Sequence, residues 1–435
     1  MLLAEDVVVD FTDVAVPRES PFHFGFWGAI IIRASRVHVD LRGHSIDMAT
    51  RYREQQRFFA LIDVGTTPLP GNGRVGFTTP ELPFDDILIE NGTLGESSHF
   101  GIHGVKGGRR WKIQRVRFRA FEVGAISISA CSDLCIADCS IGTALPPKTT
   151  ARQSSMMDLA RTAEKEGKAQ LWTEIRGMMN QGASDPKVAD SLVRHIVIMP
   201  KFNVGKPVET TGRDRLYRVS VRDCTFDDVV AAPEEEIGIA GPNDEPLRDV
   251  NGNLILWEHA KSGHRFSQLQ ALLTPALPES VRKHLVRGNG IEMQKYYGRD
   301  LRGHDLLLKA SLFVRIDGCD GVSLSNLRAG TCRSIGSKSA AVGMMLNDCT
   351  NAQVLGVRVR GVEITDECVS VLSNERPQSG LLLRGLRNVD IDKYDYGSER
   401  SCSCSMRDVR NAKLTRCSMK APMTALRIRD VEIDN

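Results

Sequence analysis

The chain has no long hydrophobic run and no excess of charge of one sign. Its 435 residues contain no uninterrupted apolar stretch of about 18 residues, the length that indicates a membrane-spanning helix. It carries 57 lysines and arginines against 54 aspartates and glutamates, a net charge of +3. An extended nucleic-acid track needs a basic excess on one face. We therefore expect no membrane insertion and no nucleic-acid partner.

The first residues also lack the apolar centre of a signal peptide. Glu5 and Asp6 interrupt MLLAEDVVVD where such a segment needs consecutive apolar side chains. The sequence therefore predicts a protein that is made in, and stays in, a reducing cytoplasm.

What the sequence does contain is a repeat, which is clearest in residues 87–142. Ile89, Ile113 and Ile136 occupy equivalent positions at steps of 24 and 23 residues, within short alternating strands separated by Gly, Asn, Asp or Ser. One such period cannot bury its own apolar face and must stack on its copies. The strands lie too close together for helical crossovers. The pattern predicts an all-β fold, a right-handed parallel β-helix.

Further alignments extend the repeat in both directions. VDLRGHSI, which begins at Val39, matches the strand at Ile89 with one extra residue, and GIHG at 101 precedes GAIS at 124 by 23 residues. Towards the C-terminus, CDGVSL and CTNAQV are 30 residues apart, and LRNVDI and VRNAKL are 23 apart. The last residues, LRIRDVEIDN, have the pattern of a strand. Because an uncovered solenoid end invites association, we expect another protein chain, an early loop or an assembly component to cover this coil.

The eleven cysteines fit the repeat better than they fit a disulfide set. They recur at two coil positions, one with Cys131, Cys319 and Cys349 and the other with Cys139, Cys224 and Cys417. Equivalent positions stack about 4.8 Å apart, and small apolar thiols suit such an internal ladder. Disulfides or a metal remain the alternatives. The Cys402-x-Cys404 pair has no second ligand pair nearby, so we expect no metal site there.

The coils are interrupted in the middle third of the chain. Helical stripes at residues 171–179 and 266–273 follow the spacing of a buried helix face. The predicted organisation has four parts: an N-terminal cap region at 1–30, β-helix coils at 31–146, helical insertions at 147–290 with a coil near 217–226, and coils at 291–435. Insertions on a solenoid occur on one face, often the binding face.

Several segments resemble known β-helices. VDLRGHSI and ILIENGTLG resemble the pectin-lyase-like superfamily. QQRFFALIDVG (55–65), ILIENGTLGESSHFGIHG (87–104), FEVGAISI (121–128) and GRDLRGHDLLLKASLFVRIDG (298–318) look like β-helix proteins of large DNA viruses of protists and of some algae. The resemblance implies a virus or protist setting and a virion component. The superfamily's enzymes cleave, epimerise or rearrange polysaccharides, often with calcium. The motifs of its polygalacturonases, pectate lyases and uronate epimerases are absent from this chain.

Two groups of ionisable residues remain as weak candidates for chemistry. His99, His103 and Glu122 fall on neighbouring coils, where a histidine beside a carboxylate could act as acid or base. The alternative is that both histidines are turn residues bonded to backbone and that Glu122 neutralises an arginine such as Arg119.

The second group precedes a coil. It combines Asp300, His304 and Lys309 as catalytic candidates with Arg299, Arg302 and Asp305 as ligand-binding candidates. It fits an anionic-sugar or uronate site with Lys309 or Arg302 as the base, or alternatively a junction whose charges satisfy one another.

The sequence thus leaves two functions open. The first is a non-catalytic structural or attachment protein that contacts other proteins or glycans. The second is a polysaccharide-active lyase, hydrolase or uronate epimerase. We expect no cofactor for the first function, and calcium is the candidate cofactor for the second.

Overall fold

A computed structural model describes residues 1–10, 27–49, 59–65, 83–97, 100–104, 107–121, 124–142, 194–199, 215–231, 310–335, 340–365, 379–399 and 402–434. These residues contain strands and turns and no helix. None of them forms a helix long and apolar enough to cross a membrane.

The strands follow one another along the chain in this order. They begin with β1 (Val7–Val9), β2 (Trp27–Ile32), β3 (Val37–Asp40), β4 (Ser45–Met48), β5 (Phe59–Val64), β6 (Ile87–Ser97), β7 (Phe100–Gly104), β8 (Gly108–Arg109), β9 (Trp111–Phe121), β10 (Gly124–Ser129), β11 (Cys131–Ser132), β12 (Leu134–Ala137), β13 (Ser140–Ile141), β14 (Arg194–Met199) and β15 (Leu216–Arg222). They continue with β16 (Thr225–Phe226), β17 (Val229–Ala231), β18 (Ala310–Asp317), β19 (Cys319–Ser325), β20 (Arg328–Ile335), β21 (Ala340–Asn347), β22 (Thr350–Leu355), β23 (Arg358–Thr365), β24 (Ser379–Arg384), β25 (Arg387–Asp392), β26 (Asp395–Tyr396), β27 (Cys402–Arg407), β28 (Arg410–Thr415), β29 (Ser418–Met419), β30 (Met423–Leu426) and β31 (Arg429–Asp434).

Each turn of the chain passes through three faces. Face 1 contains β3, the first halves of β6 and β9, and then β12, β15, β19, β22, β25, β28 and β31. Face 2 contains β1, β4, the second halves of β6 and β9, and then β13, β16, β17, β20, β23, β26 and β29. These two faces form a 19-stranded sheet. Face 3 is a 10-stranded sheet of β2, β5, β7, β10, β14, β18, β21, β24, β27 and β30.

The strands of each face pair in parallel from one turn to the next. Ile89 pairs with Ile113 on face 1, Leu94 with Phe118 on face 2, and Ile102 with Ile126 on face 3. Parallel pairing between successive turns of one chain is the defining feature of a β-helix. The predicted parallel β-helix is confirmed.

Alternate side chains of every face point into one continuous core. On face 3 this inward row consists of Ile62, Ile102, Ile126, Ile196, Val314, Met344, Leu381 and Cys404. All of them are fully buried. Since strand side chains alternate with period two, the residues between them lie on the outer side of the sheet. Burying this row throughout the solenoid is the main source of its stability.

The corners between faces 3 and 1 need left-handed backbone. One position there has a positive φ in ten successive turns, between 53° and 80°: Arg36, Asp86, Arg110, Asp133, Arg218, Gly321, Asn351, Asn388, Asn411 and Asp430. Asn, Asp and Gly adopt this conformation at little cost, which explains most of the row. The arginines at this position are less common in left-handed backbone.

Long connections concentrate at the corner between faces 2 and 3. The chain leaves face 2 at Ile141 and reaches face 3 at Arg194, and it does the same between Ala231 and Ala310. The predicted helical insertions fall in these two connections and lie outside the described residues. Between them, residues 216–226 contain β15 and β16 of the β-helix.

Most of the predicted register is correct. Ile113 pairs with Ile136, and Val389 pairs with Ala412. The alignment of GIHG with GAIS is wrong by one residue, because Gly124 pairs with Phe100 rather than with Gly101. The first coil also has two extra residues rather than one. Its Val39 pairs with Ile89, whereas its Ile46 pairs with Leu94.

The cysteine ladder is confirmed by the same register. Cys319 lies opposite Cys349 of the next turn, because the residues that follow them, Asp320 and Thr350, are paired. In the same way, Cys139 lies opposite Cys224, because Ser140 pairs with Thr225. All ten cysteines of the described residues are free thiols.

Candidate functional site

The structure describes one of the nine predicted site residues. His103 lies in β7 on face 3. The other eight, His99, Glu122, Arg299, Asp300, Arg302, His304, Asp305 and Lys309, lie outside the described residues, so their roles stay predictions. Arg119, suggested as a partner of Glu122, donates a hydrogen bond to Asp47 two turns away.

His103 is paired with an aspartate of the preceding turn. Its Nδ1 lies 2.9 Å from Oδ1 of Asp63, and the two residues are in register on β7 and β5. His103 is 7% exposed and Asp63 is 2% exposed. Phe100 stacks on the imidazole, with ring centroids 5.0 Å apart and ring planes 2° from parallel. His103 therefore lies in a strand and not in the turn that the alternative expected.

A second buried ion pair lies on the same outer side of face 3. The guanidinium of Arg315 donates from Nε to Asp317 at 2.9 Å and 3.1 Å and from Nη2 at 2.5 Å. Arg315 occupies the same row as His103, three turns further along. Apolar side chains of that outer side lie between and beyond them, namely Val197, Leu312, Val342, Met345 and Leu382. These two pairs are buried features of the sheet surface, and neither presents a free carboxylate to solvent.

A more exposed polar cluster lies on face 1 around Glu90. Its Oε1 lies 2.8 Å from Nε2 of His38, and its Oε2 accepts hydrogen bonds from Gln114 at 2.5 Å and from Arg115. His38, Asp40 and Glu90 each offer one ligand atom, all within 4.8 Å of one another. Asp40 lies beside Glu90 in the preceding turn.

This cluster has the residue types of a divalent cation site, but its hydrogen bonds join residues of neighbouring turns to one another. Both oxygens of Glu90 are already bonded, and Arg115 supplies the positive charge that a cation would otherwise bring. The amide of Gln114 is the main cause that holds the pKa of Glu90 below its usual value. The backbone amide of Arg42 and then Asn91 lower the pKa of Asp40 in the same way. A general acid needs a raised pKa, so neither carboxyl group suits that role.

Carboxylates elsewhere on the flanks are matched to arginines of the next turn. At the corner between faces 3 and 1, Arg110 bonds Asp86 at 2.6 Å, and Arg218 bonds Asp133 at 2.5 Å. Arg110 lowers the pKa of Asp86 through that hydrogen bond. Within the described part of the chain, each aspartate or glutamate whose pKa is shifted is shifted downward. The ion pairs of Asp86 and Asp133 join neighbouring turns, and the lowered pKa values do not suit a general acid.

Sequence reasoning missed Asp63 and the Glu90 cluster. The signal for Asp63 was present, because Asp63 follows Ile62 as His103 follows Ile102. Aligning LIDV with GIHG on their isoleucines places the carboxylate beside the imidazole. Glu90 lies in a strand that the repeat identified, but its partners His38 and Arg115 come from the turns on either side of it.

Known proteins resemble this chain only weakly. No protein-family model and no curated protein sequence matches the chain. Among solved structures, the chain is similar to PfbA, a surface adhesin of Streptococcus pneumoniae, with a TM-score of 0.31 and 9% identity. The likeness covers 93% of this chain and 81% of that one. At this level of similarity, the comparison carries no inference about function.

Proposed function

We propose that this protein is a non-catalytic attachment or structural β-helix, which contacts other macromolecules through its flanks. One observation carries the proposal: the flank carboxylates of Asp86, Glu90 and Asp133 each bond arginines or amides of a neighbouring turn. Glu90 with Gln114 is the most buried example. Acid-base cleavage of a glycosidic bond needs one carboxyl group that keeps its proton near neutral pH. The virion setting implied by the sequence resemblance is part of this proposal.

The last described turn leaves two core positions exposed. Ile433 is 53% exposed and Ile428 is 37% exposed. Their equivalents one turn earlier, Leu414 and Val409, are buried. These side chains belong to inward rows of the core, so the open edge of β31 offers both apolar surface and unpaired backbone groups. A further coil that pairs with β31 would cover both.

The second candidate is a polysaccharide-active enzyme, and one observation favours it. Asp40 and Glu90 are carboxylates of adjacent turns on one flank, close to His38. Paired carboxylates are the usual apparatus of glycoside hydrolysis. Their lowered pKa values and the direct contact of Arg115 with Glu90 count against this function.

The test is to incubate the purified chain with uronate and neutral polysaccharides, with and without calcium. Unsaturated products, reducing ends and epimer ratio are followed together, while co-sedimentation measures binding. We expect bound polysaccharide to be recovered intact. Turnover that is abolished by Glu90→Gln, but kept by Arg358→Gln on face 2, would overturn the attachment proposal and place an active site on face 1.

A further inference from the structure

Six arginines line one corner of the last three turns. The segments LRGLRN, MRDVRN and LRIRD cross the corner between faces 3 and 1 in successive turns. Arg384 pairs with Arg407 on face 3, and Arg387 pairs with Arg410, which pairs with Arg429, on face 1. The sixth, Arg427, follows β30 at the corner itself. We call this set, Arg384, Arg387, Arg407, Arg410, Arg427 and Arg429, the basic corner.

The positions of the basic corner carry other residues in the two preceding turns. In the two preceding turns the equivalent positions hold Asp317 and Asp320, and then Asn347 and Thr350. The sign of the charge therefore changes along a single corner of the solenoid. Such a step localises an anion-attracting surface at the C-terminal end of the described chain.

Three of these arginines have no partner among the residues that the structure describes. Arg387, Arg410 and Arg429 are exposed, and their side chains make no hydrogen bond or ion pair within that part of the chain. Elsewhere at the same corner Arg110 and Arg218 each bond an aspartate. Like charges in register on neighbouring strands oppose each other. Such a column of guanidiniums is thus a cost to folding that an external anion would relieve.

The remaining three arginines lie close enough to affect one another. Burial is the main cause that lowers the pKa of Arg384. The positive charges of Arg407, Arg427 and Arg315 lower it further. Asp408 accepts a hydrogen bond from Nη2 of Arg427 at 2.7 Å, and its other carboxylate oxygen lies 2.6 Å from Nε of Arg427. Asp408 and Asp430 neighbour these arginines in sequence, and Asp348 of the preceding turn bonds the backbone of Arg384, so six arginines outnumber three carboxylates.

We propose that the basic corner binds a linear anionic glycan, bearing carboxylate or sulfate groups, which extends along the solenoid axis. The guanidinium of an arginine can donate two parallel hydrogen bonds to a carboxylate or to a sulfate group. Successive turns lie about 4.8 Å apart, so the two columns present a pair of arginines at each step over about 10 Å. This length suits a short run of charged sugars. The inference rests on the proposed attachment function and names the kind of molecule that is attached.

The surface beside the basic corner favours a glycan over a nucleic acid. An amide ladder flanks it, in which Asn411 donates to Asn388 at 2.8 Å and Asn388 donates to Asn351 at 2.9 Å. Each amide keeps a second N–H, which suits sugar hydroxyls. Single-stranded nucleic acids bind through aromatic side chains on which bases stack, and the segments 384–388, 407–411 and 426–430 contain none.

The experiment compares the full chain with Arg387→Gln, Arg410→Gln and the double variant. Binding is measured against immobilised heparin, polygalacturonate, neutral dextran and a single-stranded DNA of matched charge. Arg358→Gln on face 2, which removes an arginine already paired with Asp395 at 2.8 Å, serves as the matched control. Circular dichroism and thermal unfolding confirm that each variant folds.

We expect heparin or polygalacturonate to bind, with an affinity that falls as salt is added. Each single substitution should weaken binding about tenfold and the double variant about a hundredfold, while the control binds as the parent does. Heparin and polygalacturonate distinguish sulfate from carboxylate. Glycan binding that is unaffected in the double variant, or binding to DNA alone, would overturn the assignment of this surface. Cleavage of the glycan would instead overturn the attachment function.

Discussion

Asp63 and His103 join two turns of the solenoid through a buried hydrogen bond of 2.9 Å. The residues are 40 positions apart in the chain but directly in register on face 3. Because both lie on the outer side of the sheet, the pair stabilises the stacking of turns without occupying the apolar core.

We expect Asp63→Ala to lower the free energy of unfolding by about 2 to 3 kcal/mol, because it leaves a buried imidazole without its partner. The double variant Asp63→Ala/His103→Ala should cost less than the sum of the single variants by about 1 to 2 kcal/mol. Urea denaturation of the four proteins measures this coupling. Ser127→Ala, in the next turn of the same row, is the control and should stay within about 0.5 kcal/mol of the parent. Strict additivity of the two single variants would refute the pairing.

The cysteine ladder predicts a pattern of chemical reactivity. Burial raises the pKa of Cys332 and of Cys319 to about 12. Since the thiolate is the reactive form, these thiols should alkylate at least about 100-fold more slowly in the folded chain than in urea. Cys402 and Cys135 are only half-buried and should be labelled first. Peptide mass spectrometry after timed exposure to iodoacetamide at pH 8 checks the order. Fast labelling of Cys319 in the folded chain would contradict the core position.

The fold is predictable from the sequence because the apolar core residues of successive turns must stack on one another. Ile89, Ile113 and Ile136 must stack on one another, so their spacing alone is enough to set the register of face 1. The error at GIHG and GAIS comes from matching glycines, which carry no such constraint. Matching Ile102 to Ile126 gives the observed pairing.

The polar sites are harder to predict, for a physical reason. An outward side chain finds its partner in another turn, and the connection between turns varies in length. Asp63 and His103 are separated by 40 residues, whereas Asp86 and Arg110 are separated by 24. The basic corner is visible in the repeated R-x-x-R-N of LRGLRN and MRDVRN. The apolar residues of those segments set the correct register, but they carry no information about the charge of the residues between them.

The fully buried His195 makes the stability of this fold sensitive to acid. Its ring lies among Phe121, Phe226 and Phe313, with centroids 5.5 to 5.8 Å away. Neither of its ring nitrogens has a hydrogen-bond partner among the described residues. Burial lowers the pKa of His195 from 6.5 to about 3, so the imidazole is neutral in the folded chain at neutral pH. This histidine therefore costs free energy as an unsatisfied polar group and costs more as the pH falls.

The direction of the effect follows from proton uptake. Below about pH 6.5 the unfolded chain binds a proton at this histidine, whereas the folded chain does not do so until about pH 3. Unfolding therefore takes up a proton across that window, and stability falls as the pH drops through it. The loss is about 1.4 kcal/mol for each pH unit, or about 2 kcal/mol at pH 5.

We expect His195→Phe to remove this dependence while keeping an aromatic ring in the cage. The variant should be as stable as the parent or more stable at pH 7, because an unsatisfied polar group is gone. Its advantage should grow by about 2 kcal/mol between pH 7 and pH 5. Denaturation midpoints at half-unit steps from pH 7 to pH 4 measure that difference, in which the titration of all other groups cancels. His44→Ala, which removes a more exposed histidine lying 3.5 Å from Asp6, is the control and should show no comparable gain. Parallel curves for His195→Phe and the parent would show that His195 is protonated in the folded chain or is paired there.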